Sequence, residues 1–341
     1  MSNIRLIVII IFVMVIVGRI YAKIEVNYFD SLEAGTSAST IRIGDVYGFS
    51  SFAHGLFENP ASLYRIYKFS ISAFQTEFMD DVKYQNVALA MRMPVGILGM
   101  GVTQLGVSDI HRSDELSSGE FVSVGTFGYQ NSLYKIVYQV SQSRYLHLGM
   151  SANLYQMTMD TVKGTGVNME LGVVLDGDNV DVSIVLKNLI ESSRIHYVDS
   201  GDYSDLAVKY DVSEVELSSN GRTESLPLIS IFGFRYRLKY LAFFGQIKTL
   251  GSSRKFVKNF GFDFQIPYIS ILNFSCGYRE YYKPAVMIES KTSEKVIQGG
   301  TIGVGLNLFG ANFDYAFEKT FDNIAYSPYQ QKHYFSIGFS L

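Results

Sequence analysis

The chain ends in HYFSIGFSL, His333–Leu341, where Phe335, Ile337, Phe339 and Leu341 alternate with Ser336, Gly338 and Ser340. Successive side chains of an extended backbone point to opposite faces, so a period of two predicts a strand with one apolar side. The pattern recurs upstream. In GANFDYAFEK, Ala311, Phe313, Tyr315 and Phe317 oppose Asn312, Asp314 and Glu318. In KNFGFDFQI, Phe260, Phe262, Phe264 and Ile266 oppose Asn259, Gly261, Asp263 and Gln265. In GVNMELGVVL, Val167, Met169, Leu171, Val173 and Leu175 oppose Asn168 and Glu170.

A soluble sandwich alternates in the same way, and three features favour a membrane barrel over it. The segments run about ten to twelve residues, long for a soluble strand and long enough to cross a bilayer when tilted. Their polar faces are rich in Gly, Ser and Asn with sparse charge, as a lumen is. Tyr and Phe recur near strand ends, where interfacial girdles hold them. Composition agrees: 24 Tyr, 25 Phe and 30 Gly accompany only 18% charged residues. A net charge of −3 gives no reason for a nucleic-acid partner, and one cysteine excludes a disulfide framework.

Strands are expected near 66–76, 82–92, 95–107, 131–141, 144–158, 165–176, 179–189, 226–237, 240–249, 256–266, 269–280, 297–308, 311–319 and 332–341. One set of joins is minimal, such as Met93-Pro94, Gln142-Ser143 and Phe309-Gly310. The other includes long polar connections at 108–130, 190–225, 281–296 and 320–331. Short turns on one side and longer loops on the other are a transmembrane-barrel arrangement, and fourteen strands return both barrel ends to the short-turn side. The expected fold is all-β, a fourteen-stranded antiparallel transmembrane β-barrel over 66–341.

The N-terminus reads as an export signal over 1–22. Arg5 precedes the apolar run Leu6–Val17, and Ala22 supplies the small residue at the expected cut. Twelve apolar residues are too few to span a bilayer, which takes ~20, so an uncleaved anchor is the lesser alternative. Residues 23–65 are expected to form a hatch, or plug, containing a short helix. In GLFENPASLYR, Gly55–Arg65, Asn59 is a favoured helix cap and Pro60 a favoured first helical residue. A plain linker would need neither.

Gly48, Ala53 and Asn59-Pro60-Ala61 form a G-x-x-x-x-A-x-x-x-x-x-N-P-A segment ahead of a barrel of this length. That combination resembles the long-chain fatty acid transporter (FadL) family. Two further stretches, 164–189 and 224–238, bring it closer to the PorV/PorQ-type and spirochaetal branches. The resemblance implies a lumen-filling hatch and a kinked third strand that opens a lateral path for apolar ligands. Gly96, Gly99, Gly101 and Gly106 in the third strand make such a kink an expectation, since strand glycines often mark bulges or bends.

No nucleophile, base or metal constellation appears, so neither enzyme activity nor a cofactor is expected. The five His, at 54, 111, 147, 196 and 333, share no ligand spacing. Three acids in DSGDYSD, 199–205, lack the other ligands of a calcium loop. Cys276 falls on an apolar face with Leu272, Phe274 and Tyr278, as a lipid-facing residue does. Lumen-side Lys68, Lys135, Arg235, Arg237 and Lys248, with Lys187, could draw a ligand carboxylate. Glu170, Asp181, Asp263, Asp314 and Glu318 could equally neutralise them. The expected function is transport of a hydrophobic molecule, such as a long-chain fatty acid, across the outer membrane of a bacterial cell. The alternative is a PorV-like partner of a secretion-system protein, using the long 190–225 connection; a diffusion porin is a third reading, which a plug would occlude.

Overall fold

The computed structural model describes residues 34–78, 82–115, 121–190, 194–201, 221–251, 256–267, 269, 271–282, 296–321 and 331–341. The expected export signal, residues 23–33 of the hatch and most of DSGDYSD lie outside the described residues.

One sheet contains β1 (Phe69–Phe78), β2 (Val82–Arg92), β3 (Ile97–Glu115), β4 (Phe121–Ser141), β5 (Leu146–Met159), β6 (Val162–Asp176), β7 (Val180–Lys187) and β8 (Arg194–Asp199). It continues through β9 (Thr223–Ser225), β10 (Ile229–Arg237), β11 (Leu241–Leu250), β12 (Phe256–Gln265), β13 (Leu272–Tyr282), β14 (Val296–Leu308), β15 (Ala311–Thr320) and β16 (Gln331–Ser340). Neighbours are antiparallel, and pairing of β1 with β16 and of β5 with β6 closes the sheet on itself. β8 succeeds β7 along β6, and β9 pairs with β8, so these short strands extend wall positions already occupied by β7 and β10. The girth is therefore fourteen strands.

Burial is inverted relative to a soluble protein, which decides between barrel and sandwich. Phe335, Ile302 and Ile136 are 58%, 59% and 57% exposed, whereas Lys135 and Arg279 are each 1% exposed. Apolar side chains ring the outside, and the inside holds polar wall residues together with the apolar contacts of the plug. Closure leaves no unpaired edge in the hydrocarbon, the condition a spanning sheet must meet. The terminal strand follows the alternation from which it was inferred, with Phe335 and Ile337 outside and Tyr334 and Gly338 inside.

Two connections are shorter than expected from the sequence. Strands β3 and β4 continue to Glu115 and back from Phe121, so most of 108–130 is a two-stranded ribbon beyond the end of β2. The 190–225 connection begins and ends in β8 and β9. Arg194–Asp199 and Thr223–Ser225 are too short for their alternation to stand out.

Inside the wall sit α1 (Ala38–Ile41), α2 (Gly55–Glu58) and a 3-10 helix, Pro60–Arg65. Ser37 caps α1 by accepting from the Thr40 amide at 3.1 Å. Asn59, in extended conformation, caps the 3-10 helix by accepting from the Ala61 amide at 2.8 Å, with Pro60 following it. Ile41, Leu56, Phe57 and Leu63 have no exposed surface. Each buried side chain of this size contributes roughly 1.5–3 kcal/mol.

Candidate functional site

The site is the plugged lumen. The wall admits the plug through glycines that point inward. A Cβ at Gly149 would lie 2.3 Å from the Pro60 carbonyl carbon, and one at Gly172 would lie 2.0 Å from Asn59 Oδ1. One at Gly261 would meet the Ile43 carbonyl oxygen at 2.1 Å, and one at Gly277 the Gly44 amide nitrogen at 2.3 Å. These glycines let wall backbone and plug backbone touch.

Each member of the hatch motif has a definite place. Gly48 has φ +96, and a Cβ there would collide with Ser183 Oγ at 2.1 Å, so only glycine fits. The Ala53 amide donates to Ser70 Oγ on β1 at 3.1 Å. Asn59 caps the helix and also donates from Nδ2 to Ser183 Oγ at 2.8 Å and to the Val173 carbonyl at 3.2 Å. Pro60 and Ala61 lie buried against Gly149 and Gly172. The motif thus ties the helix start to β6 and β7.

Two of the four third-strand glycines meet the plug, and the irregularities of that strand begin just beyond the fourth. Gly96, at φ +83, sits in the turn before β3. Gly99 and Gly101 face Leu63, Leu56 and Phe57 of the plug. The ladder with β2 runs unbroken from Ile97 through Gly106, and the register shifts against β4 fall further on, at Val107/Ile110 and Arg112/Ser113. Gly99 and Gly101 make room for the plug, whereas a Cβ at Gly106 would meet only the Tyr129 carbonyl oxygen, at 3.5 Å, one residue before the register shift begins.

Nor do the expected ligand cations line an open channel. Lys68 is exposed, with its ammonium 5.8 Å from the Tyr67 ring. Lys135 bonds Glu170 at 2.5 Å in the buried lumen. Arg235 pairs with Asp181 and lies 5.3 Å over the Phe49 ring, and Arg237 pairs with Asp181 at 2.9 Å. Lys248 is buried 6.0 Å from the Tyr282 ring.

Two plug-to-wall charge clusters had a weaker sequence signal. Arg42 of the plug donates to Asp263 at 2.6 Å and lies 3.3 Å from Asp314. Arg279 of β13 spans the gap between plug and wall, 3.0 Å from Asp45 and 3.0 Å from Glu318. The position of Arg279, two residues on from Gly277 and four from Ser275 on the polar face, marks it as inward-facing. Its plug partner lies more than two hundred residues away, where no local pattern reaches.

The plug also buries its own acid. Glu58 accepts from the Thr40 hydroxyl at 2.6 Å and the Gly48 amide at 3.1 Å, and His54 Nε2 stands 3.7 Å away. Burial raises the Glu58 carboxyl from 4.5 to about 7 and lowers the His54 imidazole from 6.5 to about 3. The seated plug therefore holds the Glu58 proton between pH 4.5 and 7, where a released plug loses it. That contribution is complete below pH 4.5 and lost as pH rises through 7. His54 acts oppositely: its neutral ring favours seating above pH 6.5, and acidification toward 3 erodes that. The two oppose each other between 4.5 and 6.5, so wild type should be nearly flat there. Burial also raises Asp45, despite Arg279, and this persists in any Glu58 variant. The ratio of channel open probability, wild type over Glu58→Gln, should climb about tenfold or more from pH 4.5 to 7 and level off beyond. A ratio independent of pH would remove Glu58 from plug seating.

One face of the plug is apolar and continuous with the wall. Leu56, Phe57 and Leu63 join Leu133, Val137 and Tyr155 in a single buried cluster, which extends to Ile195 and Leu226 on β8 and before β10. Among the described residues this is the broadest of four buried apolar clusters that join plug to wall, a track leading from the plug toward the long-loop end. Among the described residues no group of His, Cys, Asp and Glu could hold a metal.

No protein-family model and no curated protein sequence matches the chain. Solved structures do. The toluene transporter TodX of Pseudomonas putida aligns with a TM-score of 0.53 at 11% identity, over 90% of this chain and 98% of that one. The toluene transporter TbuX of Ralstonia pickettii gives 0.55 at 9% identity, over 90% and 98%. A FadL homologue of Pseudomonas aeruginosa gives 0.55 at 9% identity, over 89% and 98%. At such identities the likeness concerns architecture, and the chain shares with these structures the fold of a fourteen-stranded antiparallel membrane barrel.

Proposed function

We propose that this protein is a non-enzymatic transporter that carries hydrophobic small molecules, long-chain fatty acids foremost, across the bacterial outer membrane. The observation that carries this reading is the apolar track of Leu56, Phe57, Leu63, Leu133 and Tyr155 inside a plugged lumen. A channel for water-soluble solutes has no use for such a track, and the plug obstructs free diffusion. The names of the structural relatives support the substrate class, since two are toluene transporters and one a FadL homologue. Reaching this membrane requires export, which the Leu6–Val17 run and Ala22 would direct. Mass spectrometry of the purified barrel should recover bound fatty acid or another apolar ligand. A barrel that is reproducibly empty, and takes up neither fatty acid nor toluene, would end this reading.

A second reading, a PorV-like partner of a secretion component, rests on the ribbon formed by the far ends of β3 and β4. Val122 and Val124 on it are exposed at 37% and 54%. It predicts a stoichiometric partner in pull-downs from outer membranes. Deletions that test it must spare β8 and β9, which belong to the wall.

A further inference from the structure

The outer surface of the wall changes character along a single row of paired residues. From β15 to β3 the outward members of that row are Tyr315, Phe335, Gln75, Gln85 and Gln104. Strand tilt makes such a row climb: one that leaves the short-turn end of β1 at Phe69 reaches the long-loop end of β10 at Ser230. The row therefore passes from the hydrocarbon toward the headgroups of the outer leaflet, which the long loops face. Lipid chains satisfy neither the carbonyl nor the NH2 of an amide, so side-by-side glutamines on this surface call for a polar neighbour.

Two depressions meet on the row and share Gln75 and Gln85. The lower one, about 580 Å³, is apolar. Ala73 forms its floor, paired with Val87 on one side and Ile337 on the other, and Phe313 and Phe335 form its bank. The upper one, about 740 Å³, is polar, with Lys83, Gln104 and Gln130 pointing outward around it. Glycines hollow it out, because a Cβ at Gly106 or Gly128 would meet only a neighbouring backbone oxygen, at 3.5 and 3.4 Å. Gln85 Nε2 donates to Gln104 Oε1 at 3.0 Å, and Gln130 Nε2 donates to Ser132 Oγ at 3.3 Å, which orders the amides. Charge is balanced here: Lys83 stands opposite Glu77, and Asp160 pairs with Arg112. Beneath the apolar groove the ladders of β1 with β16 and with β2 run unbroken, so whatever lies in it stays outside the wall.

We infer that this double depression binds one outer-leaflet lipid with an uncharged, hydroxyl-rich headgroup of the sugar type. Its chain would lie in the groove over Ala73, and its hydroxyls would meet Gln75, Gln85 and Gln104. Amides donate and accept at once, as hydroxyls require, whereas a phosphate calls for cations without acidic partners. A second barrel would present a convex wall, which does not enter a concave groove. Occupancy depends on the barrel's seat in the bilayer, whatever crosses the lumen. The test uses the full chain in phosphatidylcholine nanodiscs, with an alkyl maltoside carrying a diazirine in its chain, or a phosphocholine carrying the same chain. On irradiation the maltoside should label the peptide with Phe335 and Ile337 about tenfold more than the one with Phe262 and Phe264, and the phosphocholine should label both alike. Ala73→Phe fills the groove from the lipid side and should abolish the excess, with Ala73→Leu in its place if that variant fails to assemble. Gln75→Leu combined with Gln85→Leu should lower the maltoside excess about fivefold and leave phosphocholine labelling unchanged. Uniform maltoside labelling around the barrel overturns the site, and an excess shared by the phosphocholine overturns its headgroup. Cross-linked dimers with an unlabelled groove would assign the face to a second copy instead.

Discussion

Removing residues 23–58 should convert a nearly silent barrel into a steadily conducting pore. The plug fills the lumen through contacts that reach from Ser70 on β1 to Gly338 on β16. The strands bond to one another around the closed sheet, so the wall does not need the plug to stay in the membrane. Asn59→Ala is the graded version. It loses the cap, at about 1 kcal/mol, and strands buried partners at Ser183 and Val173, for a combined weakening of about 2–4 kcal/mol. In planar bilayers wild type should be almost closed, Asn59→Ala should flicker, and the deletion should stay open. All three should remain heat-modifiable on gels. Equal conductance in wild type and deletion would mean that the segment does not obstruct the channel.

Arg279→Met should loosen the plug nearly as much without removing any of it. Arg279 bridges Asp45 on the plug and Glu318 on β15, and the Tyr334 hydroxyl adds a bond to Glu318 at 2.6 Å. Removing one member of a buried ion cluster costs about 3 kcal/mol here, the low end for such a loss, because the charges of Lys332 on Glu318 and Lys187 on Asp45 remain. Plug release should become two or more orders of magnitude more frequent. Trypsin supplies the readout, because the bond after Arg42 is buried in the seated plug. Cleavage there should be slow in wild type and at least a hundredfold faster in Arg279→Met. Adding Asp45→Asn and Glu318→Gln should recover part of the protection, by removing the stranded charges. An unaltered cleavage rate would show that the cluster contributes nothing to docking.

Much of the architecture was legible in the sequence because its signal is local. Phe313, Tyr315 and Phe317 against Asn312, Asp314 and Glu318 identify a strand and its faces without knowledge of any neighbour. Asn59-Pro60 likewise encodes its own helix start within two residues. What resisted reading is whatever depends on a distant partner. Gly149, Gly172, Gly261 and Gly277 look like the loose polar face of any lumen, yet each marks where plug backbone touches the wall. Gly99 and Gly101 suggested a bend for the same reason: sequence shows that a side chain is missing but not what occupies its space. Asp263, Asp314 and Glu318 were legible as inward acids, while their partners Arg42 and Arg279 were not assigned. The handover from β7 to β8 along β6 was hidden by its surroundings, since β8 is too short to show alternation.

Photo-cross-linking with a diazirine-bearing fatty acid tests most directly that the buried apolar track is the ligand's route. After irradiation in proteoliposomes and digestion, labelled peptides should include Leu133 and Tyr155 on the wall and Leu56 or Phe57 on the plug, and excess unlabelled oleate should suppress them. Labelling confined to outward residues such as Ile136, Ile302 and Phe335, and unaffected by oleate, would contradict it.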